Sequence, residues 1–322
     1  MKPRHCDVSV LGRIGYDLFA VEQGRPLARV EHFSRHLGGS SANIAVGLAR
    51  LGLRVGMISR LGKDLLADYL LQFLQQEGVE TEFVSVVEGY GTSLSITQVS
   101  PPDQFPQVFY RYKPADTQVQ TGEEEIAFIR ESRMFVTNGT GLSASPSRES
   151  VLRALQAARQ AGVTTVLDVD YRASSWSSPE EAGREAIQAL PFLDVVIGNE
   201  GECELLTGKQ DPSEQVRTIL DGGVRLLVRK LGSSGVEAHT EERAYQADPL
   251  PVNVICTIGA GDGFATGFLY SMLQNLPLPE CLHYGNAVAA IVVSRVSCSD
   301  AMPYMSELKN FLDTMGFNSV GS

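Results

Sequence analysis

The sequence predicts an α/β protein in which a mostly parallel central sheet lies between layers of helices. From about residue 40 onward, apolar segments with helical spacing alternate with short strand-like runs, the pattern of a parallel sheet covered by helices. The chain has 322 residues, of which 43% are hydrophobic, so it can bury one large core. We therefore expect a single domain over residues 1–322 rather than two equal domains.

The elements follow one another with short loops. The first strand is predicted at residues 7–11. Ile44, Leu48 and Leu51 are spaced for one face of a helix, which Gly52 ends, and the next strand is expected at 55–59. Further helices are expected at about 64–77, 147–161, 180–190, 212–221, 262–275 and 279–297, and further strands at about 83–87, 163–169, 193–198 and 224–230.

Two segments interrupt this alternation, at roughly 13–36 and 91–113. In the second segment, residues 92–97 and 108–112 alternate in the manner of exposed antiparallel strands. We expect the two segments to form a small β-sheet apart from the core, as a discontinuous lid. Exposed lid strands leave an unprotected edge, and pairing of two lids in a homodimer would cover it.

Charge and cysteine content narrow the classes of partner. The 27 basic and 38 acidic residues give a net charge of −11 without a basic block, which argues against nucleic acid and anionic membranes as partners. The five cysteines lie far apart, at no metal-ligand spacing, and fit a reducing compartment. Because no apolar run approaches membrane-spanning length and no signal-peptide core precedes the first strand, we expect a cytoplasmic protein that acts on small molecules.

The sharpest local motif is the turn Gly259-Ala260-Gly261-Asp262, which leads directly into a predicted helix. Glycines let the backbone approach a ligand closely, and the first amides of a helix attract an anion. Asp262 can accept a proton from an attacking hydroxyl while the amides of Gly259, Ala260 and Gly261 hold phosphoryl oxygens. An ordinary helix start with an N-terminal aspartate would show the same pattern.

A second glycine-rich stretch, Gly38-Gly39-Ser40-Ser41-Ala42-Asn43, precedes the first predicted helix. Its exposed amides and the donor and acceptor of Asn43 suit a polyhydroxy ligand, although a loop with helix-capping serines would look the same. The early run Gly12-Arg13-Ile14-Gly15 does not supply the three-glycine turn of a nicotinamide-dependent dehydrogenase. That generic α/β alternative therefore lacks support.

Together these motifs resemble the signatures of the PfkB/ribokinase family of carbohydrate kinases. The stretch from Gly38 to Gly62 resembles the first signature, the turn at Gly259 resembles the second, and Asn199-Glu200-Gly201-Glu202 resembles the family's Asn-x-x-Glu motif. The resemblance implies a ribokinase-like three-layer sandwich with a small β-sheet lid over the sugar. It also implies ATP and Mg²⁺ as cofactors, with a monovalent cation as a further candidate.

The resemblance also implies roles for individual residues. Asp262 would be the catalytic base, with the amides of Gly259, Ala260 and Gly261 around the phosphoryl group. The residues implied for sugar hydroxyls are Asp17, Gly38, Gly39 and Asn43, and those implied for the nucleotide are Asn199, Lys230, Gly232, Gly235, Gly261 and Asn286. Glu202 would hold Mg²⁺ through water. Cys256 stands where the family often has aspartate, so no residue identifies the monovalent cation site.

Within the family, three segments are most similar to the 5-dehydro-2-deoxygluconate kinases of inositol breakdown, which would phosphorylate the 6-hydroxyl. They are Phe105–Arg111 with Ala115-Asp116, Leu167–Arg172, and Ser294-Arg295 with Ser299–Pro303. A substrate carboxylate needs a cation, and Arg111 and Arg172 are the candidates, with Tyr110 beside them. A kinase for 2-keto-3-deoxygluconate or for a neutral sugar such as fructose or ribose is the alternative. Outside enzymes, the alternative is a non-catalytic sugar or nucleotide binder of the same fold.

Overall fold

The computed structural model describes residues 6–101 and 104–317. Its strands, in chain order, are β1 (Val8–Leu11), β2 (Gly15–Ala20), β3 (Phe33–Gly38), β4 (Val55–Gly62), β5 (Glu80–Val87), β6 (Ser93–Thr97), β7 (Gln107–Tyr110), β8 (Met134–Asn138), β9 (Thr164–Asp168), β10 (Val195–Asn199), β11 (Leu226–Lys230), β12 (Val236–His239) and β13 (Ala244–Ala247). Its α-helices are α1 (Ser40–Arg50), α2 (Leu65–Gln76), α3 (Glu123–Glu131), α4 (Ser147–Gln160), α5 (Pro179–Ala186), α6 (Glu200–Thr207), α7 (Pro212–Asp221), α8 (Ala260–Leu273), α9 (Leu278–Val293) and α10 (Met305–Thr314).

Nine strands form a large sheet in the order β13-β12-β11-β10-β9-β8-β1-β4-β5. The pairs from β11 to β5 are parallel, whereas β12 and β13 form an antiparallel hairpin at one edge. The central strands are apolar along most of their length because helices cover both faces of the sheet. The predicted, mostly parallel central sheet is therefore confirmed.

Helices pack on both faces of this sheet. Successive strand residues point to opposite faces, so Val10 packs with α1, α2, α8 and α9, whereas Leu11 packs with α3, α4, α5, α6 and α7. Phe268 of α8 and Leu155 of α4 are fully buried in these two cores. The result is the expected sandwich of three layers.

A separate sheet of four strands has the order β3-β2-β6-β7. Its strands come from the two segments that interrupt the βα alternation, and residues 102 and 103 of the second segment lie outside the described residues. The outer pairs are antiparallel, as expected for residues 92–97 and 108–112, whereas β2 and β6, which join the two segments, pair in parallel. The cause is topological, because β2 follows β1 and β6 follows β5, and both preceding strands run in the same direction in the large sheet.

The predicted helices are found with two differences at their ends. The helix expected at 279–297 ends at Val293, and the following turn includes Ser297 at a φ of 106°. The helix expected at 180–190 ends at Ala186 and continues as a 3₁₀ turn, Ile187–Phe192, that contains Pro191. Several elements were not predicted, among them β8, β12, β13, α3, α6 and α10.

Two structural observations relate to the expected cytoplasmic location, namely the state of the cysteines and the character of the helices. All five cysteines are free and buried. In the part of the chain that the structure describes, none of the helices combines the length and the apolar character needed to cross a bilayer.

Candidate active site

Polar and charged residues meet at the carboxyl ends of the parallel strands, and of these Asn199 and Lys230 were singled out from the sequence. Asn138 ends β8, Asp168 ends β9, Asn199 ends β10, Lys230 ends β11, and Arg13 follows β1. Ligands of open α/β sheets bind at this edge. Since β2 begins directly after β1, the four-stranded sheet rises beside the same edge.

The start of α8 is a glycine-containing turn whose geometry would suit an anion. Gly259 precedes the helix with a φ of 87°, and a Cβ there would lie 3.2 Å from the Cα of Cys298, so glycine is required. Within residues 6–101 and 104–317, neither Gly259 nor Gly261 uses its N–H group in a hydrogen bond. The N–H of Ala260 donates to the Thr257 carbonyl at 3.2 Å. The turn therefore offers two free amides at the positive end of a helix, rather than the three expected.

Lys230 brings a positive charge to this turn. Its Nζ would lie 3.2 Å from a Cβ placed on Gly261, and it donates to Asp168 Oδ1 at 3.1 Å. Burial alone would lower the pKa of Lys230, but the carboxylates of Asp168 and Glu202 raise it, so the ammonium stays charged. Burial raises the pKa of Asp168 to about 7, while Lys230 opposes that shift. An ammonium beside free helix amides suits a phosphate group.

Asp262 lies in the first turn of α8 and is only 7% exposed. Asn43, at the start of α1, donates from Nδ2 to Asp262 Oδ2 at 2.7 Å. Burial raises the pKa of Asp262 and the nearby charge of Asp170 adds to the shift, while the Asn43 hydrogen bond and Arg172 lower it. A carboxylate with a raised pKa is a better proton acceptor, as a catalytic base requires. In the described chain, the buried Oδ1 of Asn43 has no hydrogen-bond partner, so it can receive a ligand hydroxyl.

The glycine pair before α1 makes room for Asp17. A Cβ on Gly38 would lie 1.9 Å from Asp17 Oδ2, and one on Gly39, at a φ of 93°, would lie 2.4 Å from the Arg13 carbonyl oxygen. Asp17 is buried, and its Oδ1 accepts a hydrogen bond from Ser95 Oγ at 2.7 Å. Gly38 is therefore needed for close packing against Asp17, and Gly39 for close packing against the backbone of Arg13. These reasons differ from the exposed amides inferred from the sequence.

The register of the four-stranded sheet decides which side chains face the site. Asp17 of β2 is opposite Ser95 of β6, which is opposite Phe109 of β7, so these three share one face. Tyr110 belongs to the other face and is 57% exposed. The structure therefore places Phe109, rather than Tyr110, on the face of Asp17.

Both arginines expected to bind a carboxylate are already paired within the protein. Arg111 makes a bidentate ion pair with Asp116, at 3.1 and 2.8 Å, and donates to Ser93 Oγ at 2.7 Å. The Arg172 Nε lies 2.9 Å from Oδ1 of Asp170, which has a φ of 32°. The Arg172 side chain is 41% exposed, whereas that of Arg111 is only 5% exposed. Of the two, Arg172 has the more room to accept a second anionic partner.

Asn199 and Glu202 cap α6. Asn199 Oδ1 accepts from the Glu202 N–H at 2.9 Å, and the Glu202 carboxylate accepts from the N–H groups of Asn199, at 2.7 Å, and Tyr171, at 3.0 Å. Each carboxylate oxygen keeps a lone pair for a metal-bound water. The described residues contain no cluster of three or more His, Cys, Asp or Glu side chains that could hold a metal ion. This donor set fits Mg²⁺ bound mainly by phosphates and water.

Three further residues are expected to bind the nucleotide. They are Gly232 and Gly235 in the loop after β11, and Asn286 of α9. Gly232 and Gly235 have φ values of 59° and 89°, and a Cβ on Gly235 would lie 2.2 Å from the Ala247 carbonyl oxygen. Asn286 of α9 donates from Nδ2 to the Asp248 carbonyl at 2.8 Å. These contacts fix the hairpin of β12 and β13 against α9, beside the site.

Sequence reasoning missed two features of the site. Ser95 and Phe109 share the face of Asp17, but the direction of strand pairing was needed to place them there. Arg13 is buried next to the same carboxylate. Its signal was an arginine between two glycines directly after the first strand, and the sequence was read there only for a dinucleotide turn.

Comparison with known proteins agrees with this site. A family model described as pfkB family carbohydrate kinase matches residues 6–305. The chain is 36% identical over 315 residues to the 5-dehydro-2-deoxygluconokinase of Lacticaseibacillus casei, covering 97% of each protein. It is 34% identical over 313 residues to the enzyme of that name from Geobacillus kaustophilus, covering 95% of this chain and 93% of the relative.

Solved structures show the same architecture. A PfkB protein from Polaromonas sp. JS666 superposes with a TM-score of 0.82 at 28% identity, covering 94% of this chain and 99% of that one. A double mutant of the fructokinase from Vibrio cholerae O395, bound to fructose, ADP and a potassium ion, superposes with a TM-score of 0.84 at 25% identity, covering 97% and 100%. A putative ribokinase II from E. coli, in complex with ATP and Mg²⁺, shares the fold with a TM-score of 0.86 at 21% identity, covering 96% and 99%.

The predicted ribokinase-like fold is thus confirmed. The match over most of the chain agrees with the turn at Gly259 and the helix start at Asn43, which meet through Asp262 in the structure. The chain belongs to the pfkB family of carbohydrate kinases, and it is a phosphotransferase with an alcohol group as acceptor.

Proposed function

We propose that this kinase transfers the γ-phosphoryl group of ATP to the 6-hydroxyl of 5-dehydro-2-deoxy-D-gluconate. The observation that carries the proposal is the near full-length similarity to relatives of that name. The chain itself adds support, because three arginines gather at the sugar end of the site, namely Arg13, Arg111 and Arg172. Arg111 and Arg172 are paired with Asp116 and Asp170, whereas Arg13 has no ion pair within 4.0 Å among the described residues, and a neutral sugar would give no reason for that unpaired charge.

In the proposed reaction, Asp262 accepts the proton of the 6-hydroxyl as its oxygen attacks the γ-phosphorus. Asn43 fixes the Asp262 carboxylate through the bond to Oδ2, and its free Oδ1 orients a substrate hydroxyl. The free amides of Gly259 and Gly261 face the phosphoryl oxygens as negative charge builds up on them. Asp17 and the backbone at Gly38 and Gly39 bind further hydroxyls, as the family resemblance implies.

The nucleotide and metal residues complete the proposal. Lys230 lies where it can contact the transferring phosphate, and Gly232, Gly235 and Asn286 line the adjoining nucleotide side. Mg²⁺, when bound with ATP, neutralises phosphate charge, and Asn199 and Glu202 are the residues that would hold its waters. A monovalent cation is a further candidate cofactor, supported by the potassium in the fructokinase complex.

A substrate panel tests the proposed function. ADP release with ATP and Mg²⁺ is measured for 5-dehydro-2-deoxygluconate, 2-keto-3-deoxygluconate, fructose, ribose and adenosine, with an Asp262→Asn preparation to detect contaminating kinases. We expect the highest kcat/KM for the first acid. A higher value for 2-keto-3-deoxygluconate would reassign the substrate, and a higher value for a neutral sugar would remove the case for acid recognition. Binding without turnover on any of them would favour a sugar-binding protein.

We also infer a homodimer in the cytoplasm. The edge strand β7 carries Val108 and Tyr110, which are 44% and 57% exposed, and pairing with a second lid would cover them. The free, buried cysteines support a reducing compartment. Light scattering at micromolar protein should give twice the mass of 34.9 kDa, and a monomer that persists at high concentration would contradict the dimer.

A further inference from the structure

We propose that Arg13 is the residue that binds the carboxylate of the substrate, an inference that rests on the proposed action on a sugar acid. The two arginines inferred from the sequence, Arg111 and Arg172, each form an ion pair with a protein carboxylate. Among the described residues, Arg13 has no ion-pair partner, in contrast to Arg111, Arg172 and Lys230.

The position of Arg13 puts its guanidinium between the two sheets. The residue follows β1 at the carboxyl edge of the large sheet and precedes Gly15, which begins the four-stranded sheet. A Cβ on Gly15 would lie 3.0 Å from Arg13 Nη1, so the missing side chain leaves the space that the guanidinium occupies. The charges that act on Arg13 are those of Asp17, Asp116, Asp170 and Arg111, all of them residues of the sugar end.

The pairing of Arg13 differs from that of the other buried arginine side chains. Arg13 is 6% exposed, yet within residues 6–101 and 104–317 its side chain makes no hydrogen bond and no ion pair within 4.0 Å. Arg111, Arg50 and Arg229 are equally buried, and each has a carboxylate at 2.7 to 2.9 Å. A guanidinium carries five N–H donors, and those of Arg13 have no acceptor in the described chain.

An unpaired buried charge is costly, so its presence indicates a ligand. Burial lowers the pKa of Arg13 and the neighbouring Arg111 adds to this, against the attraction of Asp170, Asp116 and Asp17. The surrounding carboxylates therefore do not compensate fully for the loss of water. A substrate carboxylate would supply a bidentate partner and lower this cost on binding.

The ligand that fits is a polyhydroxy acid rather than a neutral sugar. Burial raises the pKa of Asp17, and the nearby charge of Arg13 opposes that shift. The Asp17 carboxylate accepts a hydrogen bond from Ser95 Oγ, and it can accept one from a ligand hydroxyl in the same way. A hydroxyl and a carboxylate presented together would satisfy Asp17 and Arg13 at once. Because two carboxylates beside one guanidinium would repel each other, the substrate acid must approach from the side away from Asp17.

The test compares the acid substrate with its uncharged carboxamide. We would measure kcat and KM for 5-dehydro-2-deoxygluconate and for its carboxamide, with wild type, Arg13→Gln, Arg13→Lys and the surface control Arg217→Gln. The Arg217 side chain is 71% exposed on α7, and its 4.0 Å ion pair with Glu214 lies at the surface, so its loss changes the net charge with little effect on stability. The ratio of kcat/KM for acid over amide isolates recognition of the carboxylate, because both compounds carry the same reacting hydroxyl.

We expect Arg13→Gln to raise KM for the acid between about tenfold and a hundredfold, the effect of losing a charge-assisted contact, with little change for the amide. Arg13→Lys should keep part of the preference, and Arg217→Gln all of it. If Arg13→Gln keeps the wild-type ratio, the assignment of Arg13 is wrong while the proposed substrate stands. If the wild type itself does not prefer the acid, both proposals fail.

A purely structural role for Arg13 would give different stability and kinetic results. Since the substitution removes an unpaired buried charge, the melting temperature of Arg13→Gln without substrate should equal or exceed that of wild type, and ATP binding should persist. A lower melting temperature together with equal losses for acid and amide would overturn the proposal. If Arg13→Gln does not fold, Arg13→Lys carries the same comparison.

Discussion

The two ends of the site consist of different kinds of chemical group. At the transfer end, the parts are two free backbone amides at the start of α8, the Asp262 carboxylate and the short side chain of Asn43. At the acid end, the parts are long charged side chains, and Arg111 and Arg172 are paired within the protein. On the proposed function, phosphoryl transfer would depend mainly on backbone amides and short side chains with Lys230 beside them, and the choice of substrate would depend on the charge that Arg13 leaves unpaired.

Removing the base should give the largest effect, at the transfer end. We expect Asp262→Asn to lower kcat by about a thousandfold or more, because the 6-hydroxyl loses its proton acceptor, with ATP affinity largely kept. Calorimetric titration with ATP and an ADP-release assay measure the two quantities. Asp313→Asn, an exposed aspartate of α10, is the matched control. Turnover at the wild-type rate would exclude Asp262 as the base.

Removing Arg111 from its buried ion pair with Asp116, at the acid end, should mainly lower the stability of the fold. The Arg111 and Asp116 side chains are 5% and 4% exposed, so Arg111→Gln leaves a buried carboxylate unpaired and should lower the free energy of unfolding by about 3 to 5 kcal/mol. Denaturant unfolding measures it, and Arg111→Met with Asp116→Leu should recover much of the loss. If Arg111→Gln were as stable as Arg13→Gln, the two arginines would not differ in the way described here.

The smallest effect concerns the pH dependence of the base. Burial raises the pKa of Asp262, and the Asn43 hydrogen bond holds it down, so Asn43→Ala should raise it further. A base works when ionised, and the acidic limb of the kcat/KM profile should therefore move to higher pH, by about one unit or less. Asn310→Ala on α10 is the control. An unchanged limb, or one moved to lower pH, would contradict the assignment of that limb to Asp262.

The sequence was sufficient to predict those elements whose determining residues lie close together in the chain. Helical spacing ending at Gly52 predicted α1, and the small-residue turn predicted the start of α8 with Asp262 in place. The parallel pairing of β2 with β6 could not be predicted, because side-chain alternation carries no strand direction. Whether an arginine has an ion-pair partner could not be predicted from the sequence either. Arg111 has a partner five positions away, whereas Arg13 has none within ion-pair distance in the described chain.

The bond between Asn43 and Asp262 joins residues 219 positions apart. At the usual speed of translation, a ribosome that has added Asn43 needs roughly ten to forty seconds more to add Asp262. During that interval the face of α1 that packs on α8, with Gly47 against Thr266, has nothing to cover it. We therefore expect the newborn chain to form the bond between Asn43 and Asp262 and to cover this apolar helix in the same late step, so that a chain released early should be both inactive and prone to aggregate.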